Sequence, residues 1–145
     1  MADRSPIMKK TVLFLCTHNS ARSQMAEGLL RHLAGDRFEV FSAGTEETRV
    51  HPLAIEAMRD LGIDLSSHSS KTLERFLGQK LDYVITVCDR ANESCPIFPG
   101  GTTRIHWSFD DPSAAAGTDD ERFGAFRRIR DEIAARLATF LSGES

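Results

Sequence analysis

Residues 11–23 read TVLFLCTHNSARS, and the change of character within this stretch predicts strand, loop and helix in succession. Thr11 to Leu15 form a short, continuous apolar run after two lysines, the pattern of a strand covered on both faces. Cys16 to Ser23 are polar and small, as a loop requires. Beyond them Met25, Leu29 and Leu33 recur at helical spacing, with Ala26 and Leu30 beside them.

The alternation continues outward. Phe38 to Phe41 predict a second strand, followed by a Ser42-Ala43-Gly44-Thr45 loop. Pro52 suits the first turn of a helix whose apolar face is Ala54, Ala57, Met58 and Leu61, with Gly62 as its stop. The polar stretch SSHSSKT leads to a short helical segment over 73–77. Residues 81–87 (LDYVITV) are the clearest third strand, and Cys88 stands at its carboxyl end. Pro96, Pro99, Gly100 and Gly101 mark a turn-rich connection, with no Gly-Lys-Ser/Thr to make a nucleotide loop. Thr103 to His106 predict a fourth strand, and Asp110-Asp111-Pro112 opens a loop. Phe126, Ile129, Ile133, Leu137, Phe140 and Leu141 then sustain the stripe of a long final helix, with Asp119, Asp120 and Glu121 at its amino end. Such alternation predicts an α/β fold, a parallel sheet with helices on both faces and a site at the carboxyl ends of the strands. Residues 1–8 read as a flexible extension and 9–145 as a single domain.

At 145 residues one core suffices. With 18 basic and 21 acidic residues, a net charge of -3, the chain has no basic footprint, so neither nucleic acid nor membrane is expected as a partner. No apolar run approaches the roughly 20 residues needed to span a bilayer, and the first residues lack the apolar stretch of a signal peptide, so the expected location is cytoplasmic. Three cysteines are too few for a disulfide scaffold.

Cys16 is delivered by a strand, five residues turn, and Arg22 opens the next helix. Successive N–H groups, a helix amino terminus and a planar guanidinium together suit a tetrahedral oxyanion. The same field should lower the pKa of Cys16, and the hydroxyls of Ser20 and Ser23 can hydrogen-bond its thiolate. Spacing alone leaves a second reading open: a buried core cysteine beside an ordinary surface arginine. Cys88 and Cys95, taken singly, read as a buried thiol and a loop cysteine. No close Cys or His pair has the spacing of a zinc site, and no metal is expected.

The segment Cys16-Thr17-His18-Asn19-Ser20-Ala21-Arg22-Ser23 resembles the signature loop of the low-molecular-weight protein tyrosine phosphatases and of the arsenate reductases that share their fold. The resemblance runs from Thr11 to about Leu141 and takes in Ser42-Ala43-Gly44, residues 51–58, residues 64–70 and Phe109-Asp110-Asp111-Pro112. It implies a three-layer, flavodoxin-like winding with a four-stranded parallel sheet. It makes Cys16 the nucleophile, Thr17, His18, Asn19, Ser20, Ala21 and Arg22 the oxyanion-binding loop, and Asp111 the general acid. His18 by itself reads as solvent-facing, and Asp110 as solvated or capping.

The later cysteines separate two functions. A phosphatase needs one thiol, whereas reducing arsenate takes two electrons, the yield of one disulfide. Cys88 to Cys95 resembles the redox segment of the thioredoxin-coupled arsenate reductases, and Ser113 stands where the phosphatases typically have an aromatic residue. The resemblance therefore implies attack of Cys16 on arsenate, a Cys16–Cys88 disulfide, then a Cys88–Cys95 disulfide reduced by external thioredoxin, with phosphate and sulfate as substrate mimics. Glutathione and mycothiol systems serve related enzymes as reductants. A phosphotyrosine phosphatase and a non-catalytic thiol sensor or oxyanion-binding module are the alternatives. If residues 88–95 were helical, their ends would lie roughly 10.5 Å apart along the axis, beyond the roughly 7 Å a disulfide spans, so oxidation should unwind the segment. Some thioredoxin-coupled relatives hold potassium at positions matching Asn19, Glu27 and Ser42, with an acidic ligand where this chain has Lys71. No potassium is expected here, and the Lys71 ammonium is expected to take its place.

Overall fold

The computed structural model describes residues 9–46, 48–89 and 102–143. Strand β1 (Lys10–Cys16), helix α1 (Arg22–Ala34), strand β2 (Phe38–Gly44) and helix α2 (Pro52–Arg59) come first. Strands β3 (Tyr83–Thr86) and β4 (Thr103–His106) and the long helix α3 (Asp119–Gly143) follow. The four strands form one parallel sheet in the order β2-β1-β3-β4, so the expected α/β class and winding are observed. Alternate residues of a strand face opposite sides, yet Val12, Leu13, Phe14 and Leu15 are all fully buried. Both faces of β1 are therefore covered, as its unbroken apolar run requires. Among the described residues no helix is long and apolar enough to cross a membrane.

Three local expectations are corrected. Ser42, Ala43 and Gly44 continue β2 instead of forming a loop, because Phe14, Leu15 and Cys16 extend the ladder to pair with them. Leu33 is half exposed although Met25, Ala26, Leu29 and Leu30 are buried, since it falls beyond the edge of the buried stripe. Leu61 is likewise exposed, because α2 ends at Arg59 and the chain turns through Gly62, whose φ of 74° suits glycine. The final helix buries Phe126, Ile129, Ile133 and Leu137 as its spacing predicts, and the Arg130 guanidinium ties it to α2 through the Ala57 carbonyl at 2.8 Å.

The winding places the site. β1 is central, with β2 on one side and β3 on the other, so the chain leaves adjacent strand ends in opposite directions and opens a crevice there. Leu15 pairs with Thr86, and the Val87 N–H donates to the Leu15 carbonyl at 2.8 Å. Cys16 and Cys88, 72 positions apart in the chain, thus emerge side by side.

Candidate active site

The loop after β1 turns through Asn19, whose φ of 49° is left-handed, a conformation asparagine tolerates. That turn is braced from behind. The buried Asn19 amide donates to Ser23 and Ser42 Oγ, each at 2.9 Å, while its Oδ1 accepts from the Lys71 N–H at 2.8 Å. The fully buried Gln24 amide donates to Asn19 Oδ1 at 3.0 Å and to the Ser69 carbonyl at 2.9 Å. The His18 carbonyl accepts the Thr48 and Ser70 hydroxyls.

Gly44 sits against the loop so closely that a Cβ there would lie 2.7 Å from the Thr17 carbonyl oxygen and 2.8 Å from the Asn19 nitrogen. Both are backbone atoms and neither can swing aside. Gly44→Ala should therefore cost about 1–3 kcal/mol in urea unfolding and weaken phosphate binding, because relief of the clash displaces the loop itself.

In front of the loop lies a pocket of about 460 Å³, lined by Cys16, His18, Ser20, Ala21, Arg22 and Asp111 together with Thr48, Arg49, His51, Pro52 and Ser113. Arg22 is the first residue of α1; its Nη1 donates to the Phe109 carbonyl at 2.9 Å, and its Nη2 lies 3.9 Å from Asp111 Oδ2. Burial pushes the Asp111 carboxyl up, but two hydrogen bonds from Ser113 and the Arg22 charge hold it below the usual carboxylate range. Of the expected oxyanion loop, His18, Ser20, Ala21 and Arg22 line this pocket. Thr17 and Asn19 turn their side chains into the core, and Ser23 is buried behind the loop.

Both described cysteines are buried thiols not joined in a disulfide, and the Cys88 thiol stands close enough to Cys16 to dominate its proton equilibrium. The Thr17 hydroxyl lies 3.3 Å from Cys88 Sγ. The expectation of a lowered Cys16 pKa is overturned for this arrangement. The hydrogen bond to Cys88 and then burial push the Cys16 thiol far up, against the Arg22 charge and the Thr17 N–H, which pull it down. Cys95 lies outside the described residues, as does the expected unwinding of its segment.

Among the described residues no group of three or more His, Cys, Asp or Glu is arranged to hold a metal. Asn19, Glu27 and Ser42 bond to one another and to protein donors. The Ser42 hydroxyl donates to the Glu27 carboxylate, and Arg31 donates to the same carboxylate at 2.6 Å. The Ser42 and Glu27 oxygens are thus engaged by donors within the protein. The Lys71 ammonium bonds to the Ser69 carbonyl at 2.6 Å and lies within reach of the Glu27 charge, which raises its pKa against the larger lowering effect of burial, while the direct ion pair with Glu27 is made by Arg31. Helical spacing of Glu27 and Arg31, four residues apart, was the signal that could have found it. Thr48, Arg49 and His51 were also missed as pocket residues; they follow β2 in chain order and gave no local signal of facing Cys16.

The model of the low molecular weight phosphotyrosine protein phosphatase family matches residues 11–144. An arsenate reductase of Halalkalibacterium halodurans is 50% identical over 132 residues, covering 91% of this chain and 95% of that protein. A solved arsenate reductase in the phosphate binding state is similar with a TM-score of 0.74 at 33% identity, covering 94% of this chain and 99% of that one. The thioredoxin-dependent arsenate reductase of Corynebacterium glutamicum is similar with a TM-score of 0.67 at 30% identity, covering 98% of this chain and 66% of that one.

Proposed function

Because the chain belongs to the low molecular weight phosphotyrosine protein phosphatase family, and is similar over nearly its whole length to arsenate reductases, we propose that it reduces arsenate to arsenite. One observation carries the reading: a second buried thiol, Cys88, emerges beside Cys16 from the neighbouring strand, next to a pocket suited to an oxyanion. Hydrolysis of a phosphate ester has no use for that second sulfur.

Arsenate enters with its oxygens on the loop N–H groups and the Arg22 fork. Its charge replaces the Cys88 sulfur as the feature that sets the Cys16 proton equilibrium: that proton passes to the hydroxyl oxygen of hydrogen arsenate as Sγ attacks arsenic, and that oxygen departs as water. Asp111 stands beside the leaving oxygen. Its low pKa in the free protein is raised by the like charge of a bound oxyanion, which makes it able to hold and donate a proton there. Cys88, steadied by the Thr17 hydroxyl, then attacks Cys16 Sγ. The sulfur–arsenic bond breaks with its electron pair remaining on arsenic and the Cys88 proton passing to an oxygen of the departing arsenite, so arsenic(V) becomes arsenic(III) as the Cys16–Cys88 disulfide forms. Cys95 attacks Cys88 next, freeing Cys16, and a dithiol protein such as thioredoxin accepts the disulfide by exchange.

The test follows thioredoxin-dependent NADPH consumption with arsenate, for the wild type and for Cys95→Ser, in potassium and in sodium buffer. Turnover in the wild type, loss of multiple turnover in the variant and indifference to the cation are expected. Equal turnover of both proteins would refute the relay, and no arsenate-dependent turnover of the wild type would refute the reductase.

A further inference from the structure

We propose that His51 is a substrate-contacting residue of this pocket, donating its Nε2–H to an oxygen of the bound oxyanion on the side where Asp111 stands. The inference deepens the arsenate reductase reading and rests on it for the identity of the substrate.

His51 is the cap residue of α2, where its Nδ1 accepts the Leu53 N–H at 3.0 Å. An imidazole nitrogen that accepts a hydrogen bond carries no proton, so in the neutral ring the proton must sit on Nε2. The cap thus sets the tautomer and makes the opposite edge of the ring a donor. Three further observations hold the residue at the pocket. The His51 N–H donates to the Ser20 carbonyl at 2.9 Å, tying the residue to the anion loop. The ring packs on Phe126 of α3, with centroids 4.6 Å apart. The side chain lines the pocket that also contains Cys16, Arg22 and Asp111.

Among the described residues Nδ1 has its partner, and no protein acceptor is found for Nε2. A donor held in a half-buried pocket without an acceptor is suited to one that arrives with the ligand. Burial, then the Arg122 charge, lower the His51 pKa while Asp111 raises it; the net direction keeps the ring neutral, in the state whose tautomer the cap dictates. Thr48 and Arg49, the residues just before it, line the same wall, so this stretch supplies the pocket's second side, facing the loop after β1.

The test uses inorganic phosphate as an unreactive probe and His51→Asn, since asparagine is a preferred cap residue and its side-chain oxygen can accept the Leu53 N–H. The variant should keep the wild-type melting temperature and bind phosphate roughly tenfold more weakly in calorimetry, the loss expected for one hydrogen bond to a charged group. In nitrogen-15 NMR of the wild type, His51 should show the Nε2–H tautomer and its Nε2 resonance should move on adding phosphate. Unchanged phosphate affinity in a folded variant, the opposite tautomer, or an unmoved Nε2 resonance at saturating phosphate would overturn the proposal. The NMR measurement decides if the variant fails to fold. A wild type that binds phosphate through His51 but reduces no arsenate would uphold the His51 contact and refute the reductase reading, so the two failures are distinguishable.

Discussion

Cys88→Ala should abolish sustained arsenate reduction, by at least roughly a thousandfold, as loss of an essential nucleophile does, and should at the same time make Cys16 easier to deprotonate. The first effect follows from electron count: without the second sulfur no disulfide can form at Cys16, and the arsenic keeps its oxidation state. The second follows from the contact between the thiols. The hydrogen bond to Cys88 is the largest influence raising the Cys16 pKa, ahead of burial, while Arg22 and the Thr17 N–H lower it. Removing the raising influence moves the balance toward the lowering ones, so the sign of the change is downward. Alkylation of Cys16 by iodoacetamide, followed against pH by mass spectrometry, should therefore reach its half-maximal rate at lower pH in the variant. An alkylation midpoint that is unchanged or higher would show that the two sulfurs do not share a proton in solution.

The features of the fold that were legible in the sequence are those written in local periodicity. The apolar run of β1 needed no partner to be recognised, and the 126–141 stripe of α3 is buried from Phe126 to Leu137, with Phe140 and Leu141 partly buried against the core at its end. The end of β2 was not legible, because Ser42 and Gly44 have no strand preference of their own and are held in the ladder by Cys16 and its neighbours. The same division holds for the site. Cys16 to Arg22 is one contiguous loop, so its composition announced an anion site. His51 and Arg49 join that site only because residues after β2 fold back across it, and nothing within five residues of either says so. The Cys16 proton equilibrium was misjudged for a related reason: the loop's own field was visible in sequence, but the sulfur that opposes it arrives from β3, 72 residues later.

Arg22→Lys keeps the charge at the amino end of α1 and should still cost roughly a hundredfold in kcat/KM, within the range measured when one preorganised oxyanion donor is removed. The reason is shape. One arm of the Arg22 guanidinium is committed to the Phe109 carbonyl at 2.9 Å, which anchors the loop carrying Asp111, while the rest of the fork faces the pocket with the side chain 13% exposed. A lysine ammonium is a single point charge: it can reach the carbonyl or the oxyanion, but it cannot offer two parallel donors to the substrate while holding Phe109. Phosphate binding should accordingly weaken about tenfold, and Asp111 should lose part of its placement. The Cys16 alkylation midpoint supplies the control. Arg22 lowers the Cys16 pKa through its charge, so Arg22→Lys should leave that midpoint near the wild-type value, whereas Arg22→Ala, which removes the charge as well as the fork, should move it upward. Wild-type kcat/KM in Arg22→Lys would mean that charge alone holds the oxyanion, and the bidentate geometry assigned to this residue would be wrong.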